Sequence, residues 1–281
     1  MRKREQSWPA LTRQIRLQII IGLAAGFVVS ADARADALPV DVELIIAADV
    51  SISMDREEKR LQQQGFARAF RHPEIVHAIQ SGSLGRIAVT YFEWGGANQQ
   101  RVVVPWMLVS DGDSAEKFSE RLEKSSPARF LKGTSLSGAL EKAADLFRQG
   151  RFSGARRIIN ISGDGVNNKG NELEPIRDAL ISSGVTINGM PIVFKGLLEG
   201  VIEGAGFSDP KLLIGYFEEE VIGGPHAFVE PVTAERNYTE AVHRKLLREI
   251  GMPIYSEKTG RDRTATIDAD LAPRLLERAG R

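Results

Sequence analysis

Residues 42–54 read V-E-L-I-I-A-A-D-V-S-I-S-M, an apolar run of strand length that passes straight into Asp49, Ser51 and Ser53, spaced two apart. A strand without polar alternation is buried on both faces, the condition of a central parallel strand covered by helices. Oxygen side chains at the carboxyl end of such a strand are poor packing material, but they are good ligands for a hard divalent cation. This one segment therefore restricts the chain to a layered α/β fold and indicates what the fold carries.

The remaining pattern agrees. Apolar runs of strand length alternate with amphipathic stretches, which predicts a doubly wound, mostly parallel six-stranded sheet with helices on both faces. Strands are predicted over residues 42–48, 86–93, 101–109, 157–162 and 185–193, with a last one over 226–232. Helices are predicted over 55–70, 114–124, 136–149, 172–183, 210–220 and 233–250. The link Gly95-Gly96-Ala97-Asn98 is too short for a helical crossover, so the third strand should run antiparallel at one edge of the sheet.

Two further segments bring oxygen to the same crevice. Lys132-Gly133-Thr134-Ser135 places hydroxyls at a helix start, and residues 158–168, I-I-N-I-S-G-D-G-V-N-N, form a second apolar strand that delivers Asp164 at its carboxyl end. Ligands of open α/β sheets bind at those strand ends where chain order reverses. Each residue alone could serve as a helix cap or turn former. Jointly, a hydroxyl and carboxylate cluster at a sheet crevice has few structural uses.

The donor set suits Mg²⁺ or Mn²⁺, with Ca²⁺ as a third candidate, because these ions take oxygen ligands and Mg²⁺ keeps several waters. Two carboxylates neutralise a divalent ion and no more, so an incoming acidic side chain could replace a water. Zinc geometries built on thiolates or rich in histidine are excluded by composition, the first because there is no cysteine. The four histidines, His72, His77, His226 and His243, are scattered along the chain, and none adjoins the motif. Glu93, Trp94 and Asn167 are expected at the rim of the crevice as ligand contacts.

The order D-x-S-x-S, then a lone loop threonine, then S-G-D-G resembles the metal-ion-dependent adhesion site of von Willebrand factor A domains. That resemblance implies Ser51, Ser53 and Thr134 as direct ligands, with Asp49 and Asp164 acting largely through water. Tyr91-Phe92-Glu93-Trp94-Gly95-Gly96, the S-G-D-G-x-N-N form at residues 162–168, and residues 221–229, V-I-G-G-P-H-A-F-V, are similar to an uncharacterised bacterial family of exported A-domain proteins.

The ends of the chain are of another character. Residues 1–37 carry six basic and three acidic side chains around an apolar core, closing on Ala35-Asp36-Ala37. This describes a secretory signal cleaved near Ala37, which engages the membrane only during export to the periplasm or beyond. An uncleaved anchor is the alternative, although the apolar core is shorter than the roughly 20 residues a spanning helix needs. Residues 38–253 form the predicted domain and 254–281 a charged tail. The whole chain balances 37 Lys and Arg against 37 Asp and Glu, which does not describe a nucleic-acid binder.

These readings describe an exported protein-binding module, for adhesion or assembly, that recognises an Asp or Glu of a partner protein through a bound cation. No catalytic role is assigned, since no histidine or lysine is placed as a general base. One rival is a Mg²⁺-dependent phosphohydrolase of the haloacid-dehalogenase type, resembled by Gly163-Asp164-Gly165-Val166-Asn167-Asn168. It fails where D-x-D is needed, because Ser51 holds the second position. The other rival is a scaffold with a purely structural cation.

Overall fold

The computed structural model describes residues 37–130, 133–193, 210–234 and 237–251. The proposed signal segment and tail lie outside the described residues. Five strands make one sheet in the order β3-β2-β1-β4-β5: β1 (Leu38–Asp49), β2 (Ile87–Trp94), β3 (Gln100–Val109), β4 (Phe152–Gly163) and β5 (Val185–Pro191). β1 pairs in parallel with β2 and β4, β4 pairs in parallel with β5, and β3 is the expected antiparallel edge. Pro105 sits in that edge strand, where a missing N–H costs least.

Helices cover both faces. They are α1 (Arg56–Arg71), α2 (Pro73–Gln80), α3 (Gly112–Glu123), α4 (Leu136–Gln149), α5 (Leu173–Ser182), α6 (Pro210–Tyr216), continued by a π-helical turn Phe217–Val221, and α7 (Tyr238–Gly251). Alternate residues of β1 divide between two cores: Val42, Leu44 and Ile46 pack with Phe66, Phe70 and Phe118, whereas Ile45 and Ala47 pack with Leu136, Leu140 and Phe217. α2 is not among the predicted elements. Its signals are Pro73 in the first turn and His72 as the N-cap, accepting from the Glu74 N–H.

The expected sixth strand is corrected. Residues 226–232 run alongside β5 but make only isolated bridges, Gly189 to Val229 and Ile192 to Val232. Gly189 donates to the Phe228 carbonyl, Glu230 and Val232 donate to Gly189 and Pro191, and Val193 donates to Val232. The bond missing from a regular parallel ladder would come from the N–H of residue 191, and residue 191 is proline. His226, at φ 60°, further departs from strand geometry.

β1 lies in the middle, with β2 on one side and β4 on the other, so chain order reverses between β1 and β4. The carboxyl ends of those two strands are Asp49 and Gly163. The fold thus sets its crevice where both acidic motifs emerge.

Candidate metal centre

Asp49 ends β1 with its side chain fully buried. Its Oδ1 accepts the Ser51 N–H at 2.7 Å, which curls the D-x-S-x-S segment back over the strand end. Ser51 and Ser53 hydroxyls lie 2.9 Å apart, and Ser53 donates to Asp164 Oδ1 at 2.7 Å. One chain of oxygens therefore joins the turn after β1 to the turn after β4. Directly after it, Asp55 caps α1 in a reciprocal capping box with Glu58, so the helix start limits how far the loop can move.

Thr134 arrives from the third segment. Gly133, at φ +74°, takes the left-handed turn that precedes it, a conformation costly for any side chain. The Thr134 N–H donates to Asn168 Oδ1 at 2.9 Å, and its carbonyl accepts from Asn168 and Lys169 at 3.0 and 3.1 Å. Ser135 then caps α4 through the Gly138 N–H. A methyl group placed on Gly165 would come within 3.8 Å of the Thr134 hydroxyl oxygen and 3.9 Å of its methyl, so the Thr134 side chain faces the S-G-D-G turn.

The electrostatics of this cluster are unbalanced. Burial, and then the neighbouring charge of Asp164, push the Asp49 carboxyl from 3.8 up to about 8. Its Oδ2 is buried without a hydrogen-bond partner. Buried carboxylate oxygens are ordinarily paired, so an orphan beside a second carboxylate fits a place for a cation. Lys59 feels both aspartates, although burial lowers its own pKa. Oxygen donors with no nitrogen or sulfur suit Mg²⁺, Mn²⁺ or Ca²⁺.

Two of the expected rim contacts are corrected. Glu93 and Trp94 are fully buried. Glu93 Oε2 accepts from Arg101 at 2.7 Å and from the Ala128 N–H at 3.0 Å, tying the sheet edge to the loop after α3. Trp94 belongs to the core and roofs the crevice from within: a methyl on Gly163 would meet its ring at 3.4 Å and Asp49 Oδ2 at 3.2 Å. Strand position alone misleads here because the last residues of β2 are covered on both faces. Asn167 is half-buried and braces loops, its Oδ1 accepting from the Ser137 N–H and its Nδ2 donating to the Asn171 carbonyl.

Residues 39–254 match the family described as protein of unknown function DUF1194. The chain belongs to the DUF1194 family. Among solved structures, a von Willebrand factor type A protein from Catenulispora acidiphila matches this DUF1194 chain with a TM-score of 0.50 at 17% identity, covering 76% of this chain and 43% of that one. The pilus adhesin SpaC from Lactobacillus rhamnosus GG, in its open conformation, gives 0.50 at 13% identity, covering 77% of this chain and 30% of the adhesin. These likenesses show the fold: DUF1194 here is von Willebrand factor A-like. The chain spans less than half the length of those structures. No curated protein matches it by sequence.

Sequence reasoning missed two features of this DUF1194 chain. Gln62, buried on α1, donates to the Asp49 carbonyl at 2.8 Å and accepts from Ser162 and from Tyr238, so it holds the ends of β1 and β4 together beneath the crevice. A polar residue inside the apolar stripe of α1 was the available signal. The histidines, scattered in sequence, are not all scattered in space: the rings of His72 and His243 stand 4.3 Å apart, away from the aspartates at the far end of α1.

Proposed function

We propose that this DUF1194 protein is an exported, metal-dependent protein-binding module that captures an acidic residue of a partner. Asp49, Ser51, Ser53, Thr134 and Asp164 would hold the ion, Mg²⁺ or Mn²⁺ in the first place. When bound, the ion supplies an open coordination position for an incoming carboxylate. The observation that carries the reading is the buried, unpartnered Oδ2 of Asp49 beside the charge of Asp164.

The surface next to the cluster supports the nature of the partner. Ile52, between the two serines, is 64% exposed. With Arg56, Lys59 and Arg60 it lines a cavity of about 570 Å³ whose remaining lining is residues 126–130, Arg129 among them. An exposed apolar side chain ringed by cations suits a peptide with an aliphatic contact and acidic flanks. The von Willebrand factor type A protein and the pilus adhesin share this fold, which is consistent with a binding role and goes no further.

In the same proposal residues 1–37 are removed on export, residues 38–253 form the binding domain and 254–281 a charged tail. Mass spectrometry of exported protein should find a new N-terminus close to Leu38. Capture of a partner from a periplasmic extract, with and without chelator, tests the function itself. The expected result is capture that disappears with chelator, and disappears with metal bound when Arg56 and Arg129 are both changed to Glu. Capture indifferent to chelator would leave a scaffold with a structural cation. Turnover of a generic phosphate ester that stops with Asp49→Ala would establish the enzyme instead.

A further inference from the structure

A second group of metal-ligating side chains stands at the opposite end of α1, whose 16 residues place it about 24 Å from the Asp49 cluster. His72 joins α1 to α2, serving as the C-cap of one and the N-cap of the other. Glu74 lies in the first turn of α2, and His243 comes from α7. One ligand atom from each of the three lies within 4.8 Å of the others.

The separations are informative. His243 Nε2 is 3.2 Å from His72 Nδ1 and 3.3 Å from Glu74 Oε2, while His72 Nδ1 is 3.9 Å from the same carboxylate oxygen. Zn²⁺ binds imidazole nitrogen and carboxylate oxygen at about 2.0–2.2 Å, so the ligand edge of a tetrahedral site is about 3.3–3.6 Å. Two of the three edges, at 3.2 and 3.3 Å, are within about 0.1 Å of the short end of that range. The third closes by a rotation of Glu74, whose side chain is 63% exposed.

His243 Nε2 and His72 Nδ1 share a hydrogen bond at 3.2 Å, which an ion held between the two rings would replace. The Glu74 N–H reaches His72 Nδ1 at 3.3 Å, a long bond that a metal can replace. The neighbouring cations are Arg68 and Arg244, and Arg244 is paired with Glu230 at 2.7 Å. Beside His72 and His243 lies a depression of about 350 Å³ that includes Thr239 and Glu240, room for a water or a fourth donor.

We propose that His72, Glu74 and His243 form a second metal site, separate from the aspartate cluster, that takes Zn²⁺ or a similar borderline transition ion through two imidazoles and one carboxylate. The nitrogen donors select against Mg²⁺ and Ca²⁺, which the aspartate cluster suits. An ion here would clamp the corner between α1 and α2 to α7, joining residues 171 positions apart.

The test is Zn²⁺ titration of the chelator-stripped full chain by calorimetry, with melting temperature followed in parallel. It is run on the wild type in saturating Mg²⁺ and on the Asp49→Ala variant, so the aspartate cluster cannot supply the signal. One equivalent of Zn²⁺ should bind in both and raise the melting temperature. His72→Gln and His243→Gln should each weaken it by about 100-fold or more, and Glu74→Gln by about tenfold, with metal-free melting unchanged for the exposed Glu74 variant. Absence of Zn²⁺ binding in the Mg²⁺-saturated wild type, or binding undiminished by Glu74→Gln and His243→Gln, would overturn the proposal. Neither outcome bears on the Asp49 cluster, which is read from Mg²⁺ binding alone.

Discussion

Replacing Asp49 by Asn isolates the charge that the crevice cannot neutralise by itself. Asparagine keeps an oxygen to accept the Ser51 N–H, which Asp49 Oδ1 accepts at 2.7 Å, and the Asp49 carbonyl still accepts from Gln62. What it loses is the ionisable group. In the metal-free fold that group holds its proton up to about 8, against 3.8 when exposed. Between those values the folded chain carries a proton that the unfolded chain has lost, so stability is full below 3.8 and falls as pH rises through about 8. At about 1.4 kcal/mol per pH unit, raising pH from 5.5 to 8 should cost the metal-free wild type about 3 kcal/mol. For a domain of this size that is roughly 6–12 °C in melting temperature. The assay is thermal unfolding by circular dichroism in chelator, at half-unit pH steps, for wild type and Asp49→Asn. The wild-type curve should fall more steeply than the variant curve across that interval, and saturating Mg²⁺ should flatten the wild type while leaving the variant unmoved. Parallel curves in chelator would show that Asp49 carries no uncompensated charge, and would remove the physical basis for a cation beside it.

Other substitutions separate the parts of the site. In Thr134→Ala the backbone bonds to Asn168 and Lys169 remain, so what is lost is the hydroxyl and one methyl group. Partner capture should fall further than Mg²⁺ affinity, measured by calorimetry and pull-down on one preparation; equal losses would contradict a role for the threonine in ligand response. Gly163→Ala puts a methyl 3.2 Å from Asp49 Oδ2 and should lower Mg²⁺ affinity by about tenfold, with about 1–3 kcal/mol of overpacking cost in urea melts; unchanged affinity would mean that Oδ2 has no part in holding the ion. Lys245 pairs at 2.5 Å with Glu249, both fully buried. Lys245→Ala leaves that carboxylate with only the Asn160 and Asn188 amides and should cost about 3–5 kcal/mol in urea unfolding, so a loss under about 1 kcal/mol would refute the account of the pair.

The central strands, the antiparallel edge and most helices were legible because each follows from a short-range pattern. Apolar runs mark β1 and β4, Gly95 and Gly96 sit in a link too short for a crossover, and Asp55 with Glu58 announces α1. Errors arose where a neighbour in space overrode the local pattern. Residues 226–232 have strand-like composition, yet the ladder they would join is broken by Pro191 on the opposing strand. Glu93 and Trp94 stand at a strand end, where a sequence suggests a rim, but Arg101 and Gly163 enclose them.

The order of the chain was enough to name the candidate oxygen donors, because a carboxylate or hydroxyl at the end of an apolar strand has little to do except cap, turn or ligate, and Asp49 and Asp164 both stand there. Periodicity likewise assigned an α/β architecture without any coordinate. What folding alone decided was adjacency: that Ser53 reaches Asp164 across 111 positions, that Gln62 spans two strand ends, and that His72 meets His243. Such meetings depend on how sheet and helices pack, and packing energy is distributed over so many weak contacts that no local stretch of sequence encodes it.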